Sequence, residues 1–174
     1  MAVLAPERCV ALIAATRAST TWRDAPIYTS AGGGAVAVVN DAVRRAALLD
    51  EHDLPPDAAA IVEDAKRAVE QHVAAHTPGL RAGDVQLVRY EPGGFFYTHQ
   101  DATASPREWR KLSAVVYLND DFTGGTTSFP VLDRIITPRT GHALLFVPHL
   151  VHGAELVERG EKFVLTFWLG PSSP

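Results

Sequence analysis

The spacing of hydrophobic and polar positions along this 174-residue chain changes character once, near residue 80. Ahead of that point it is largely helical. Pro6 to Ala18 places Cys9/Val10, Ile13 and Arg17 at helical intervals with Pro6 suited to a first turn, which predicts a short helix. A second helix is predicted to start around Asp53-Leu54-Pro55-Pro56-Asp57. Ile61, Ala65, Ala68/Val69 and Val73 form its buried stripe, and Pro78-Gly79 ends it. Between the helices, Thr20 to Tyr28 is weakly strand-like, Ser30-Ala31-Gly32-Gly33-Gly34 is a break, and Ala35 to Val39 reads as an edge strand of a sheet. From residue 85 onward the chain becomes a series of short strand-like runs broken by Gly, Pro and Asp. These are Val85 to Tyr90, Leu112 to Leu118, Thr126 to Phe129, Arg134 to Ile136, Ala143 to Val147, Val151 to Val157 and Phe163 to Leu169. Short runs at even spacing predict a sandwich or barrel with the helices packed outside it, a mainly β member of the α+β class.

Composition adds limits to that picture. With 47% hydrophobic residues the chain can fill one core, so a single domain over 1–174 is expected, with helical support over about 1–80 and a barrel over about 81–170. No internal repeat, linker or low-complexity segment interrupts it. The net charge of −4 and the scattering of the 16 basic residues argue against nucleic acid or an anionic membrane as partner. Met1 to Ala18 contains Glu7, Arg8 and Arg17 and reads as neither signal peptide nor membrane span. The lone Cys9 rules out an internal disulfide, reads as a small apolar helix residue, and fits a reducing compartment, so a cytoplasmic location is expected. An exposed edge such as Ala35 to Val39 could pair between subunits, which leaves the oligomeric state open.

Chemistry concentrates in Arg89-Tyr90-Glu91-Pro92-Gly93-Gly94-Phe95-Phe96-Tyr97-Thr98-His99-Gln100-Asp101. Alternate side chains of an extended strand share a face, so His99 and Asp101 can point into one cavity while Gln100 points away. An imidazole and a carboxylate side by side are two of the three ligands of the facial triad that holds non-haem iron. The third ligand should be a distant histidine; His152 is the best candidate, and His149 is close enough in sequence to compete with it. Other features are weaker. Gly32 to Gly34 lack the Lys-Ser/Thr ending of a phosphate loop, and His72 and His76, four apart on the second helix, lack the Glu of a zinc protease helix. The plain readings are a turn and a partly solvated helix face.

Four features in order and at matching intervals carry a family resemblance: Tyr90 through Asp101, Tyr117-Leu118-Asn119-Asp120, Gly124-Gly125-Thr126-Thr127-Ser128-Phe129-Pro130, and His152 through Gly160-Glu161-Lys162 to Trp168. Together, from about Val85 to Gly170, they resemble the prolyl 4-hydroxylase-like branch of the iron(II)- and 2-oxoglutarate-dependent dioxygenases. The resemblance implies a double-stranded β-helix, a cupin-like jelly-roll barrel, with the N-terminal 80 residues adding only supporting helices. It also implies that His99, Asp101 and His152 bind Fe(II) and that Lys162 pairs with the far carboxylate of 2-oxoglutarate. Tyr117 and Thr127 match positions that supply hydroxyls to that carboxylate, and Tyr90 one near the cosubstrate. Arg110 and Trp168 match substrate-side positions. The family interval to Lys162 favours His152 as the ligand, leaving His149 as a rim residue facing substrate. O2 is the oxidant, with ascorbate as a supporting reductant, and the outcome is hydroxylation of an unactivated C–H bond with succinate and CO2 as co-products.

The chain departs from its family in places. Gly94 stands where Gln is frequent, and Phe96 where Tyr is frequent, which removes a hydroxyl from the substrate side. Ala102 to Glu108 and the Pro130 to Arg134 connection are short, as though loops that clasp a peptide had been trimmed. These departures tilt the expected substrate towards a small molecule, such as an amino acid or biosynthetic intermediate, over a prolyl residue in a peptide. Because Asp101 supplies a carboxylate, hydroxylation is expected rather than halogenation. Taken singly, Tyr117, Trp168, Thr127 and Lys162 also suit plain structural roles. The rival class is a non-catalytic metal-binding or sugar-binding jelly roll, which would have no use for Lys162 and Thr127.

Overall fold

The computed structural model describes residues 1–31, 34–102 and 109–171. Its elements run α1 (Pro6–Arg17), β1 (Arg23–Asp24), β2 (Ile27–Ala31), β3 (Gly34–Val38), β4 (Arg44–Arg45), β5 (Ala47–Asp50), α2 (Pro56–Ala74) and β6 (Leu80–Ala82). The second half is entirely strands and tight turns: β7 (Gln86–Tyr90), β8 (Phe95–His99), β9 (Leu112–Tyr117), β10 (Thr123–Gly124), β11 (Thr127–Phe129), β12 (Arg134–Ile136), β13 (Ala143–Phe146), β14 (His152–Ala154), β15 (Val157–Arg159) and β16 (Lys162–Pro171). None of the helices among the described residues is long and apolar enough to cross a membrane.

Two antiparallel sheets form the double-stranded β-helix. The larger has the order β1-β5-β7-β16-β9-β13, with β6 added to β16; the smaller has the order β12-β11-β14-β8-β4. Strand β16 pairs with both β7 and β9 and shows how sequence becomes architecture. Its odd positions Phe163, Leu165, Phe167 and Leu169 are fully buried against the helices. Its even positions Lys162, Val164, Thr166 and Trp168 line the cavity between the sheets. The period-2 rule thus splits one strand into a packing face and a chemical face. The helix face of the large sheet is covered by Ile61, Val62, Ala65, Val69 and Val73 of α2 and by Cys9 and Leu12 of α1. Cys9 fills the apolar position expected of it.

The N-terminal region departs from the expectation of helices alone. Strands β1 and β5 extend the large sheet and β4 extends the small one. These strands are too short and too mixed in polarity to show a period, and what fixes them is the sheet edge they join. The Ala35 to Val39 run does form an edge strand, β3, paired with β2 in a separate two-stranded hairpin. The Val151 to Val157 run is two strands, because Gly124 and Gly125 dock against the carbonyl of Leu156 and β15 turns away to pair with β10. Pro130–Leu132 is a single 3-10 turn closed by Asp133 in the left-handed region (φ 49°), so the short connection foreseen there is tight. Gly32, Gly33 and most of the Ala102 to Glu108 segment lie outside the described residues.

Candidate active site

His99 is the last residue of β8 and pairs directly with His152, the first of β14, so the two imidazoles meet across the small sheet with ring centres 4.3 Å apart. A register shift between His152 and Ala154 sets Tyr97 and Thr98 of β8 against Gly153 alone, a bulge that turns both Phe96 and His99 inward despite their odd spacing. Their rings stack, with centres 3.6 Å apart. Asp101 lies just beyond β8, where its N–H donates to the Pro148 carbonyl (2.8 Å) and fixes it beside the histidines. Gln100, expected to point away, also lines the cavity, its amide donating to the His149 carbonyl.

The Nε2 atoms of His99 and His152 lie 3.6 and 3.7 Å from the two Asp101 oxygens, too far for hydrogen bonds and well placed to share an ion. Each Nδ1 faces a backbone carbonyl, of Tyr97 (2.8 Å) for His99 and of Leu150 (2.9 Å) for His152. A carbonyl can only accept, so each Nδ1 carries the proton and each Nε2 turns its lone pair towards the shared centre. Burial pushes the His152 imidazole down, which keeps it neutral. Burial alone would raise the Asp101 carboxyl, but the facing His99 and His152 and the Ser113 hydroxyl outweigh it and hold the group well below the usual carboxylate range. Ser113 donates to Asp101 at 2.6 Å. Two imidazoles and a carboxylate, each oriented by an outer partner, form a donor set that fits iron(II).

The other end of the cavity is cationic. Lys162, 2% exposed, donates to the Gly125 carbonyl at 2.6 Å, and burial pushes its ammonium down to about 7, against the opposing pull of Glu155. An ammonium has three donors, and a lysine this deep calls for an anion to complete it. Tyr90 and Tyr117 face it, with Nζ 5.2 and 5.8 Å from their ring centres, and the Tyr117 hydroxyl meets the Thr127 hydroxyl at 2.8 Å. Burial pushes Tyr117 up to about 12 and also raises Tyr90, so both phenols stay protonated. A cation flanked by hydroxyls suits one carboxylate of 2-oxoglutarate.

The remaining expected site residues divide. Arg110 and Trp168 line the cavity, with the guanidinium 3.4 Å from the indole centre and Nη1 donating to the Asp101 carbonyl (2.8 Å). Phe96 lines it too. His149 does not: it is exposed, and its backbone carbonyl serves Gln100. His72 and His76 sit exposed on α2, remote from the cavity. Two residues of the site escaped sequence reasoning. Ser113 looks like any strand serine, and only the placement of β9 beneath Asp101 reveals it. Arg44 is 8% exposed and reaches the cavity from β4, a strand too short to show a pattern.

A double-stranded β-helix that holds a His/Asp/His donor set facing a buried lysine defines a non-haem iron oxygenase frame. Residues 85–170 match the 2OG-Fe(II) oxygenase superfamily, and the relatives this stretch resembles are named prolyl 4-hydroxylases. The putative prolyl 4-hydroxylase of Acanthamoeba polyphaga mimivirus is 30% identical over 113 residues, covering 53% of this chain and 47% of that protein. Prolyl 4-hydroxylase 1 of Arabidopsis thaliana is 28% identical over 132 residues, covering 59% and 47%. The chain thus spans about half the length of these relatives. Among solved structures, the viral collagen prolyl hydroxylase from Paramecium Bursaria Chlorella virus-1, in complex with 2OG, superposes with a TM-score of 0.72 at 20% identity over 98% of this chain and 93% of that one. A Pseudomonas putida prolyl-4-hydroxylase gives 0.71 at 22% over 98% and 90%. At these identities the structural likeness speaks for the fold.

Proposed function

We propose that the protein is an Fe(II)- and 2-oxoglutarate-dependent dioxygenase that hydroxylates an unactivated C–H bond of a small molecule or a prolyl residue. The observation that carries this reading is the joint placement of the three metal donors and the buried Lys162 in one cavity of about 290 Å3. When bound, iron(II) with 2-oxoglutarate and O2 supplies the oxidation: 2-oxoglutarate becomes succinate and CO2, one oxygen atom entering succinate and the other the product hydroxyl. The chain supplies the rest. His99, Asp101 and His152 would hold the ion in the cavity. Lys162, Thr127, Tyr117 and Tyr90 anchor and orient the cosubstrate, and Phe96, Arg110 and Trp168 line the space where the substrate carbon is aimed. Asp101 keeps a carboxylate on the ion, which favours hydroxyl transfer over halogenation. Nucleic acid and membrane are not proposed as partners, and the single buried Cys9 fits a cytoplasmic setting.

The test is succinate formation by anaerobically purified protein given Fe(II), ascorbate, O2 and 2-oxoglutarate, beside the His99→Ala and Lys162→Ala variants. Wild type should release succinate slowly even without prime substrate, and both variants should be silent. A Lys162→Ala protein that bound 2-oxoglutarate as tightly as wild type would return the molecule to the non-catalytic jelly-roll class.

A further inference from the structure

Arg44 is a buried cation to which the proposed reaction assigns no task. Its guanidinium lies 4.6 Å from the centre of the Phe96 ring, with Nη1 donating to the Pro26 carbonyl (3.1 Å) and its charge acting on the Tyr90 hydroxyl. Its Nε makes no hydrogen bond, and no ion pair among the described residues includes it. Its position depends on Gly94. A Cβ there would sit 2.8 Å from the Glu91 carbonyl oxygen and 3.0 Å from that of Arg45, so the absence of a side chain lets β4 close on the β7–β8 turn. Phe96, lacking a hydroxyl, offers Arg44 a ring face that fixes the plane of the guanidinium.

The charges in the cavity leave Arg44 over. Asp101 and the two carboxylates of 2-oxoglutarate would balance the charge of Fe(II) and of Lys162, which leaves Arg44 with no anion of its own among the described residues. Arg110, on another wall, already serves the Asp101 carbonyl. A cation this deep is retained where a counter-ion arrives, and a planar guanidinium whose Nε has no partner is suited to a carboxylate. Building on the oxygenase reading, we propose that the substrate is a small free carboxylic acid, such as an amino or imino acid, and that Arg44 receives its carboxylate. The cavity size agrees: about 290 Å3, shared with 2-oxoglutarate, lies just below the roughly 300 to 1,000 Å3 of ligand pockets.

The test uses the whole protein loaded with Mn(II) and saturated with 2-oxoglutarate, and reads the paramagnetic relaxation of probe protons near the metal, with no turnover needed. The probes are the common free amino acids with L-proline among them, each beside its primary amide, and a tripeptide with internal proline. At least one free acid should be relaxed saturably, its amide and the tripeptide binding tenfold or more weakly. Arg44→Gln should weaken that acid tenfold or more while 2-oxoglutarate affinity stays within twofold, and Arg44→Lys should recover part of the loss. Amide or tripeptide binding as tight as the acid, relaxation of no acid at all, or a parallel loss of 2-oxoglutarate affinity in Arg44→Gln would overturn the proposal. If Arg44→Gln fails to fold, the wild-type comparison of acid with amide decides. Failure of wild type to bind 2-oxoglutarate would instead overturn the oxygenase reading.

Discussion

Binding of 2-oxoglutarate should draw a proton from solution, by an amount set by Lys162. Burial holds its ammonium at about 7 in the ligand-free protein, against an ordinary lysine value of ~10.4. At pH 8 only about a tenth of the molecules therefore carry the charge, whereas a carboxylate beside Nζ favours the charged form in all of them. Uptake should be about 0.9 proton per 2-oxoglutarate at pH 8 and about 0.1 at pH 6, with apparent affinity falling about tenfold per pH unit above pH 7. The assay is calorimetry on the Mn(II)-loaded protein in phosphate and in Tris, whose ionisation enthalpies differ, with Lys162→Met as control to subtract protons exchanged at the metal. Equal uptake in wild type and Lys162→Met at pH 8 would refute the reasoning.

The same lysine should govern stability in the ligand-free state. Its folded value lies below its unfolded one, so between pH 7 and about 10.4 the unfolded chain binds more protons and stability rises with pH. Lys162→Met should accordingly raise the free energy of unfolding from urea titration at pH 6 by about 1–4 kcal/mol, with a smaller gain at pH 9. Ser113→Ala removes the hydroxyl that donates to Asp101, and metal affinity measured against a chelator should fall about 10–100-fold with the fold intact. Gly94→Ala should cost about 1–3 kcal/mol in urea unfolding, because its Cβ would meet backbone oxygens that have no rotamer to escape into.

What the sequence revealed and what it hid follow from the range of each interaction. His99 and Asp101 were legible because a two-residue spacing on an extended run puts them on one face, and His152 and Lys162 because their interval matches the family the chain resembles. The helices were legible from the stripe on α2. Ser113 and Arg44 were not, since their roles come from register between strands far apart in the chain, and a lone serine or arginine in a short run carries no signal of which neighbour it will meet. The two-residue strands β1 and β4 have no period to read and exist only because a sheet edge recruits them. Gly94 looked like a missing glutamine, and the reason for it is backbone proximity. His149 was placed on the rim by nearness in sequence to His152, but the turn at Val147 to Leu150 directs it outward.

The two faces of β16 bear on how this molecule could change over evolutionary time. Phe163, Leu165, Phe167 and Leu169 hold the helices, while Thr166 and Trp168, between and beside them, line the cavity. Selection on catalytic scope and selection on folding therefore act on alternate letters of one ten-residue word. A lineage, or an engineer with a two-codon library at Thr166 and Trp168, can explore new substrates while the packing letters stay fixed and every variant keeps the same scaffold.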